Sequence, residues 1–275
     1  MQEKNASRMN FDRFHPRFFL SLFLLSLFLS LWGCGIFGGA STKLEPRNAS
    51  EWYLTGEKNL ESKDYEDAQK AFAKVLEEYT DNRLRIDALL QLADSYFANR
   101  QYIEASFQYK KFVELYPLHP AAAEAQFQVG TSNLALMKSL DRDQTYTRDA
   151  IHAFQQVLNR YPDSPFASAA KDGLEQGRQR LFEHELYVGR FYFKQGDYDS
   201  AISRLSALEK DFPAEMEAAR DEVLYMLGES YFQEENFANA ARYYNALLAN
   251  YPKSRYNTAA RKRLQIVSAS VSPRS

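Results

Sequence analysis

The chain has 275 residues, 45% of them hydrophobic, and a formal net charge of −2. It is long enough to bury a large core and too balanced in charge to bind nucleic acid through bulk electrostatics. A single cysteine excludes an internal disulfide framework and any cysteine-based zinc site. The 18 tyrosines and 20 phenylalanines suit a chain in which aromatic residues recur from repeat to repeat.

Residues 1–17 are polar and include Lys4, Arg8, Arg13 and Arg17. Phe18 to Trp32 is an apolar run of 15 residues in which serine is the only polar member. A membrane-spanning helix needs about 20, so the run reads as the core of a secretory signal. The next feature is Leu31-Trp32-Gly33-Cys34. It resembles a bacterial lipobox, with leucine three before, and a small residue one before, a cysteine that receives lipid. Trp32 departs from the small or aliphatic residue usual at its position. The resemblance implies a signal peptide over 1–33 and a mature chain beginning at Cys34. That cysteine would carry an N-acyl and an S-diacylglycerol group, and no other cofactor is expected. By analogy with Gram-negative lipoproteins, glycine in place of aspartate at residue 35 favours the outer membrane. Residues 34–50 read as a lipidated tether, rich in Gly and Ser. Asn48-Ala49-Ser50 matches a glycosylation sequon, read as coincidence in a bacterial chain.

From Ser50 onward one pattern returns five times. Its clearest copy is Glu222–Pro252, with Leu224, Leu227, Gly228 and Tyr231 on one helical face. Phe237, Ala240, Tyr244 and Leu247 lie on a second, and Tyr251-Pro252 stops the run. Small residues stand where two antiparallel helices must approach closely, at Gly56 and Ala68, Ala93 and Ala105, Gly130 and Ala150, Gly189 and Ala201, Gly228 and Ala240. This is the helix–turn–helix pattern of the tetratricopeptide repeat. It predicts an all-α superhelical solenoid of five helix pairs plus a capping helix. Two stretches break the period. The third repeat carries extra residues between its helices, around 138–148, and the stretch Pro165–Lys194 reads as one long helix or two abutting ones, with Gly173 and Gly177 as weak points. Repeats one to three then occupy 51–164, and the long helix, repeats four and five and the cap occupy 165–270, followed by a tail over 271–275. The cap is expected over Ser254–Ser270, with Tyr256, Ala260, Leu264 and Val267 inward, because a solenoid must cover its last repeat. From Lys253 onward the basic residues (Arg255, Arg261, Lys262, Arg263, Arg274) stand without acidic ones; they read as a solvated outer face with helix-terminus compensation, the alternative being a site for an acidic partner.

No phosphate-binding glycine motif, metal-binding histidine pair or nucleophile elbow is present, and catalysis is not expected. The concave surface is the feature with binding capacity. Repeat geometry turns Tyr53, Glu57, Leu60, Leu90, Asp94, Phe97, Phe127, Thr131 and Leu134 toward it. Repeats that clamp chaperone C-terminal carboxylates use Lys and Asn at the positions of Tyr53/Glu57 and Leu90/Asp94, so that function is disfavoured. An apolar-aromatic groove with a few carboxylates suits an extended apolar-aromatic segment. The alternative is that these side chains pack between neighbouring repeats.

Taken together, the lipobox, the five repeats, the Asp141–Gln144 insertion and the long connecting helix resemble the BamD family of outer-membrane assembly lipoproteins. The segment Leu181–Pro213 is similar to that family's fourth repeat. The resemblance covers about residues 30–260 and implies a scaffold tethered to the periplasmic face of the outer membrane. Repeats one to three would receive unfolded outer-membrane proteins, with Tyr53, Leu60, Leu90, Asp94, Phe97 and Phe127 as groove candidates. Repeats four and five would dock on a BamA-like β-barrel insertase, with Arg204 as a contact, alongside accessory lipoproteins. A periplasmic adaptor of the Tol and peptidoglycan-remodelling system is the alternative. Such adaptors usually carry a coiled-coil N-terminus and a signal without lipid.

Overall fold

The computed structural model describes residues 48–271. Cys34, the signal and most of the tether lie outside them. The described residues are helical, in the order α1 (Ala49–Glu61), α2 (Tyr65–Glu78), α3 (Leu84–Ala98), α4 (Tyr102–Leu115), α5 (Ala122–Ala135) and α6 (Thr145–Arg160). There follow α7 (Ala167–Gln195), α8 (Tyr198–Asp211), a 3-10 turn (Glu215–Ala219), α9 (Arg220–Gln233), α10 (Phe237–Asn250) and α11 (Asn257–Val271). Each helix packs chiefly on the next one in the chain, the nearest-neighbour arrangement of a solenoid.

Local chemistry sets the ends. The Asn48 side chain accepts from the Glu51 amide at 3.0 Å and caps α1; a residue that completes a sequon is thus a helix cap. Asp197 and Asn236 do the same for α8 and α10. At the other end, Tyr116, Tyr161, Phe212 and Tyr251 leave helical geometry immediately before proline. Tyr79 closes α2 in a similar conformation although threonine follows it. The turns between paired helices pass through the left-handed region at Lys63, Arg100, Gly196 and Glu235, and only Gly196 does so without a Cβ penalty.

The small residues of the pattern mark where helices touch. Ala68, Ala93, Ala105, Ala150, Ala201 and Ala240 are fully buried. A Cβ on Gly228 would fall 2.6 Å from the Tyr244 ring, and one on Gly56 2.6 Å from the Phe72 ring. Aromatic residues supply the bulk opposite, and Phe72, Phe112, Phe154 and Tyr244 are among the largest fully buried side chains.

The stretch after Pro165 is one uninterrupted helix of 29 residues. Gly173 and Gly177 do not weaken it. Both are buried, and a Cβ on Gly173 would lie 2.6 Å from the Phe154 ring, while one on Gly177 would lie 2.7 Å from Ile151. They are contact points that let α7 close over α6. The first half of α7 thereby completes the N-terminal repeats, and its second half serves as the first helix of repeat four, with Phe182 and Leu186 in the C-terminal core.

The insertion expected around 138–148 divides into a loop over 136–144 and the first turn of α6, which begins at Thr145 because the Asp143 carboxylate accepts from its amide at 2.9 Å. Gln144 is the loop's internal support. Its side chain is buried, donates to the Ser139 and Arg142 carbonyls at 2.9 Å each, and accepts from the Thr147 hydroxyl. The loop leans on α7, where Arg180 donates to the Lys138 carbonyl at 2.5 Å and the His184 ring nitrogen lies 2.7 Å from the Leu140 carbonyl.

The cap begins at Asn257, later than the sequence suggested. Its Ala260 is fully buried and Tyr256 stacks on Tyr225 at 4.6 Å. Arg263 does not belong to a solvated outer face. It forks onto the buried Glu229 at 2.8 and 3.0 Å and lies over the Phe232 ring at 4.4 Å.

Candidate functional site

The first helices of the first three repeats are α1, α3 and α5. Each sequence-derived groove residue lies on one of them and is half-buried. Tyr53 meets Phe72 edge-on at 5.6 Å, and Leu60 joins the same cluster. Leu90 packs on the Leu89–Tyr109 core, and Phe97 meets Tyr102 at 5.4 Å. Phe127 lies against Phe154 and Phe166, at 5.6 Å from each. Thr131 is turned back onto its own helix, donating to the Phe127 carbonyl at 3.2 Å. Leu134 packs with Phe127 on the Phe154 cluster. Each apolar candidate therefore serves inter-helix packing with one part of its surface and leaves another part open.

Asp94 has a structural partner, since the Tyr109 hydroxyl donates to it at 2.6 Å. Its carboxyl is raised, first by burial and further by Glu124, against the opposing effect of the Tyr109 hydrogen bond. The Tyr53 hydroxyl is pushed up to about 12, by burial first and then by the negative charges of Glu57, Asp87 and Asp94. Two acids that the sequence did not single out contribute to these shifts, Asp87 and Glu124, both exposed. Both stand at the start of an inner helix, six before its small residue. That recurrence is the signal that could have identified them.

In the second half, Arg204 lies on the outer face of α8, half-exposed, with its guanidinium 3.1 Å from Glu185. Other charged side chains reach past α8 to the elements beyond it. Arg178 forks onto Glu215 at 2.5 and 3.1 Å, donates to the Asp211 carbonyl and covers the Phe212 ring. Arg190 forks onto Glu222 at 2.8 and 2.6 Å.

Among the described residues the histidines stand apart. His119 rests edge-on against Phe112, His152 lies beside Gln156, and His184 is engaged by the insertion loop. Among the described residues no group of three or more His, Cys, Asp or Glu is placed to hold a metal ion, and no helix is long and apolar enough to cross a membrane. An open cleft of about 490 Å³ runs between α4 and α6, with Ile103 and Phe107 on one side, Tyr146 and His152 on the other and Val129 in its floor.

Comparison with known proteins bears on the whole arrangement. A family model described as outer membrane lipoprotein, YfiO, matches residues 46–231, and a tetratricopeptide-repeat model matches 222–254. The chain is 26% identical over 225 residues to the outer membrane protein assembly factor BamD of Rickettsia prowazekii, covering 80% of this chain and 89% of that one. It is 25% identical over 254 residues to the protein of the same name from Neisseria gonorrhoeae, covering 87% and 94%. Among solved structures, the TPR2AB-domain:pHSP90 complex of yeast Sti1 superposes with a TM-score of 0.40 at 15% identity, covering 81% of this chain and 84% of that one. With a family model spanning its first four repeats, the chain belongs to the outer membrane lipoprotein family that includes the BamD proteins.

Proposed function

We propose that this chain is a non-enzymatic scaffold for assembly of β-barrel proteins in the outer membrane. The observation that carries the reading is the family match over residues 46–231, because it spans every helix of the inner groove together with repeat four. The relatives' role as assembly factors agrees with an open, aromatic inner surface. Lipid on Cys34 would hold the solenoid at the periplasmic face, and more than one acyl chain gives stable anchoring where a single chain is marginal. The inner surface of α1, α3 and α5 receives extended segments of unfolded outer-membrane proteins at Tyr53, Leu60, Leu90, Phe97 and Phe127. Repeats four and five dock on the insertase, with Arg204 at the contact. Holding both on one molecule raises the concentration of client near insertase without any chemical step.

The test is affinity capture of the lipidated chain from outer membranes. Recovery of a β-barrel insertase supports the proposal, and recovery of Tol components in its place would favour the adaptor reading. Anchoring is tested separately: Cys34→Ala should leave the fold unchanged and move the protein out of the membrane fraction.

A further inference from the structure

The residue that follows each small inner-helix residue is ionisable in four of the five repeats, and its surroundings differ between the two halves of the chain. In the C-terminal half it finds an opposite charge two helices further along the chain. Arg190, after Gly189, forks onto Glu222 of α9. Glu229, after Gly228, receives the fork of Arg263 from α11. In the N-terminal half the corresponding residues are Glu57, after Gly56, and Asp94, after Ala93. Here the neighbouring inner helix brings another acid. Asp87 of α3 and Glu124 of α5 stand six residues before the small residue of their helix, the place that Glu222 holds in α9 against Arg190, and they bear on the Tyr53 hydroxyl and on Asp94 respectively. None of these four carboxylates takes part in the ion pairs formed among the described residues. Arg85, on the same helix as Asp87, is engaged with the Leu76 carbonyl.

Like charges gathered on one surface oppose folding, and a cation brought by a ligand restores the balance that Arg190 and Arg263 supply elsewhere. The walls beside them are Tyr53, Leu90, Phe97 and Phe127. Aromatic faces of this kind also accept cations, and the half-buried Glu57 and Asp94 hold one more strongly than the exposed Asp87 and Glu124 do. About ten residues of extended chain, at ~3.3 Å each, reach across three inner helices spaced ~10 Å apart.

We propose that the inner groove of repeats one to three selects extended segments in which lysine or arginine stands among aromatic and large apolar side chains. The cations seat against Glu57, Asp87, Asp94 and Glu124. This deepens, and rests on, the reading of the groove as the client site.

The test titrates the full-length chain with three fluorescent peptides of the same aromatic-apolar pattern, carrying lysine, serine or glutamate at the intervening positions. A photo-crosslinker at position 90 reports whether each occupies the groove. The lysine peptide should bind at least tenfold more tightly than the serine peptide, and the glutamate peptide at least tenfold more weakly. The lysine advantage should shrink with added salt and disappear in Asp87→Asn/Glu124→Gln. That variant spares Asp94, which holds Tyr109, and its folding is checked by circular dichroism. Equal binding of the lysine and serine peptides, both crosslinked at position 90, overturns the charge selection and leaves the groove as client site. A lysine advantage that survives in the variant also overturns it. Absence of crosslinking by all three peptides overturns the client groove and this proposal together.

Discussion

Gly173→Ala distinguishes two opposite expectations for the long helix. A glycine in an exposed helix interior weakens it, and replacement by alanine should add about 1 kcal/mol of stability. In α7, however, the new methyl would stand 2.6 Å from the Cε2 and Cζ atoms of Phe154, where carbon–carbon contacts favour ~3.5–4.0 Å. The ring would have to retreat by about 1 Å. Its opposite edge already presses on α5, since a Cβ on Gly130 would lie 2.5 Å from Cε1 of the same ring. Phe154 is thus held between two glycines and cannot yield to one without meeting the other. Overpacking of this kind costs ~1–3 kcal/mol. Set against the helix-propensity gain of ~1 kcal/mol, a net loss of up to ~2 kcal/mol results. Urea unfolding followed by far-UV circular dichroism measures it, and thermal melting should show a fall of ~2–4 °C per kcal/mol. Phe154→Leu in the same chain removes the clash, so the double variant should lose less than the sum of the two singles. A Gly173→Ala variant more stable than the parent by about 1 kcal/mol would refute the packing argument and restore the weak-point reading.

Other consequences follow from particular contacts. Ala240→Leu should cost ~1–3 kcal/mol by overpacking α9 against α10, seen as a lower denaturant midpoint, because Ala240 is fully buried. Gly196→Ala should cost ~1–2 kcal/mol from its φ of +77° alone, since a Cβ there meets nothing within 4 Å; an unchanged melting temperature would contradict this. Arg263→Met leaves Glu229 buried without its cation and should cost ~1–3 kcal/mol, with loosening of α11 visible as faster amide exchange. Glu215 bears on acid stability: burial is the largest single influence and raises its carboxyl, but the Arg178 hydrogen bond, a backbone hydrogen bond and the Arg178 charge together outweigh it and hold the carboxyl below its ordinary value of 4.5. A lowered carboxylate stabilises the fold above that ordinary value and loses its contribution as pH falls through the lower, folded one. Stability measured downward from pH 5 should therefore fall less steeply in Arg178→Met than in the parent.

Much of the architecture was legible because it rests on repetition. Paired small residues such as Ala93 and Ala105 recur at a fixed spacing since two helices can approach closely only there. Tyr-Pro pairs recur since proline denies helical geometry to the residue before it. The groove candidates were chosen on the same basis: repeat geometry assigned Tyr53, Leu90 and Phe127 to the first helices of their repeats, where each is half-buried. Their division between packing and open surface was not, because it depends on rings contributed by other helices, such as Phe72 beside Tyr53 and Phe166 beside Phe127. Arg263 was misread because its partner Glu229 lies on another helix, 34 residues away.

By itself, the sequence determined the helical class, the five-fold repeat, the places where it is interrupted, and the family, since each depends on local periodicity or on residues within one turn of each other. Only the tertiary structure decided that Gly173 and Gly177 are contacts, that Gln144 supports the insertion from within, and that Arg178, Arg190 and Arg263 form ion pairs between separate elements of the second half. Those features arise from side chains brought together across helices, and their energies depend on the neighbour as much as on the residue.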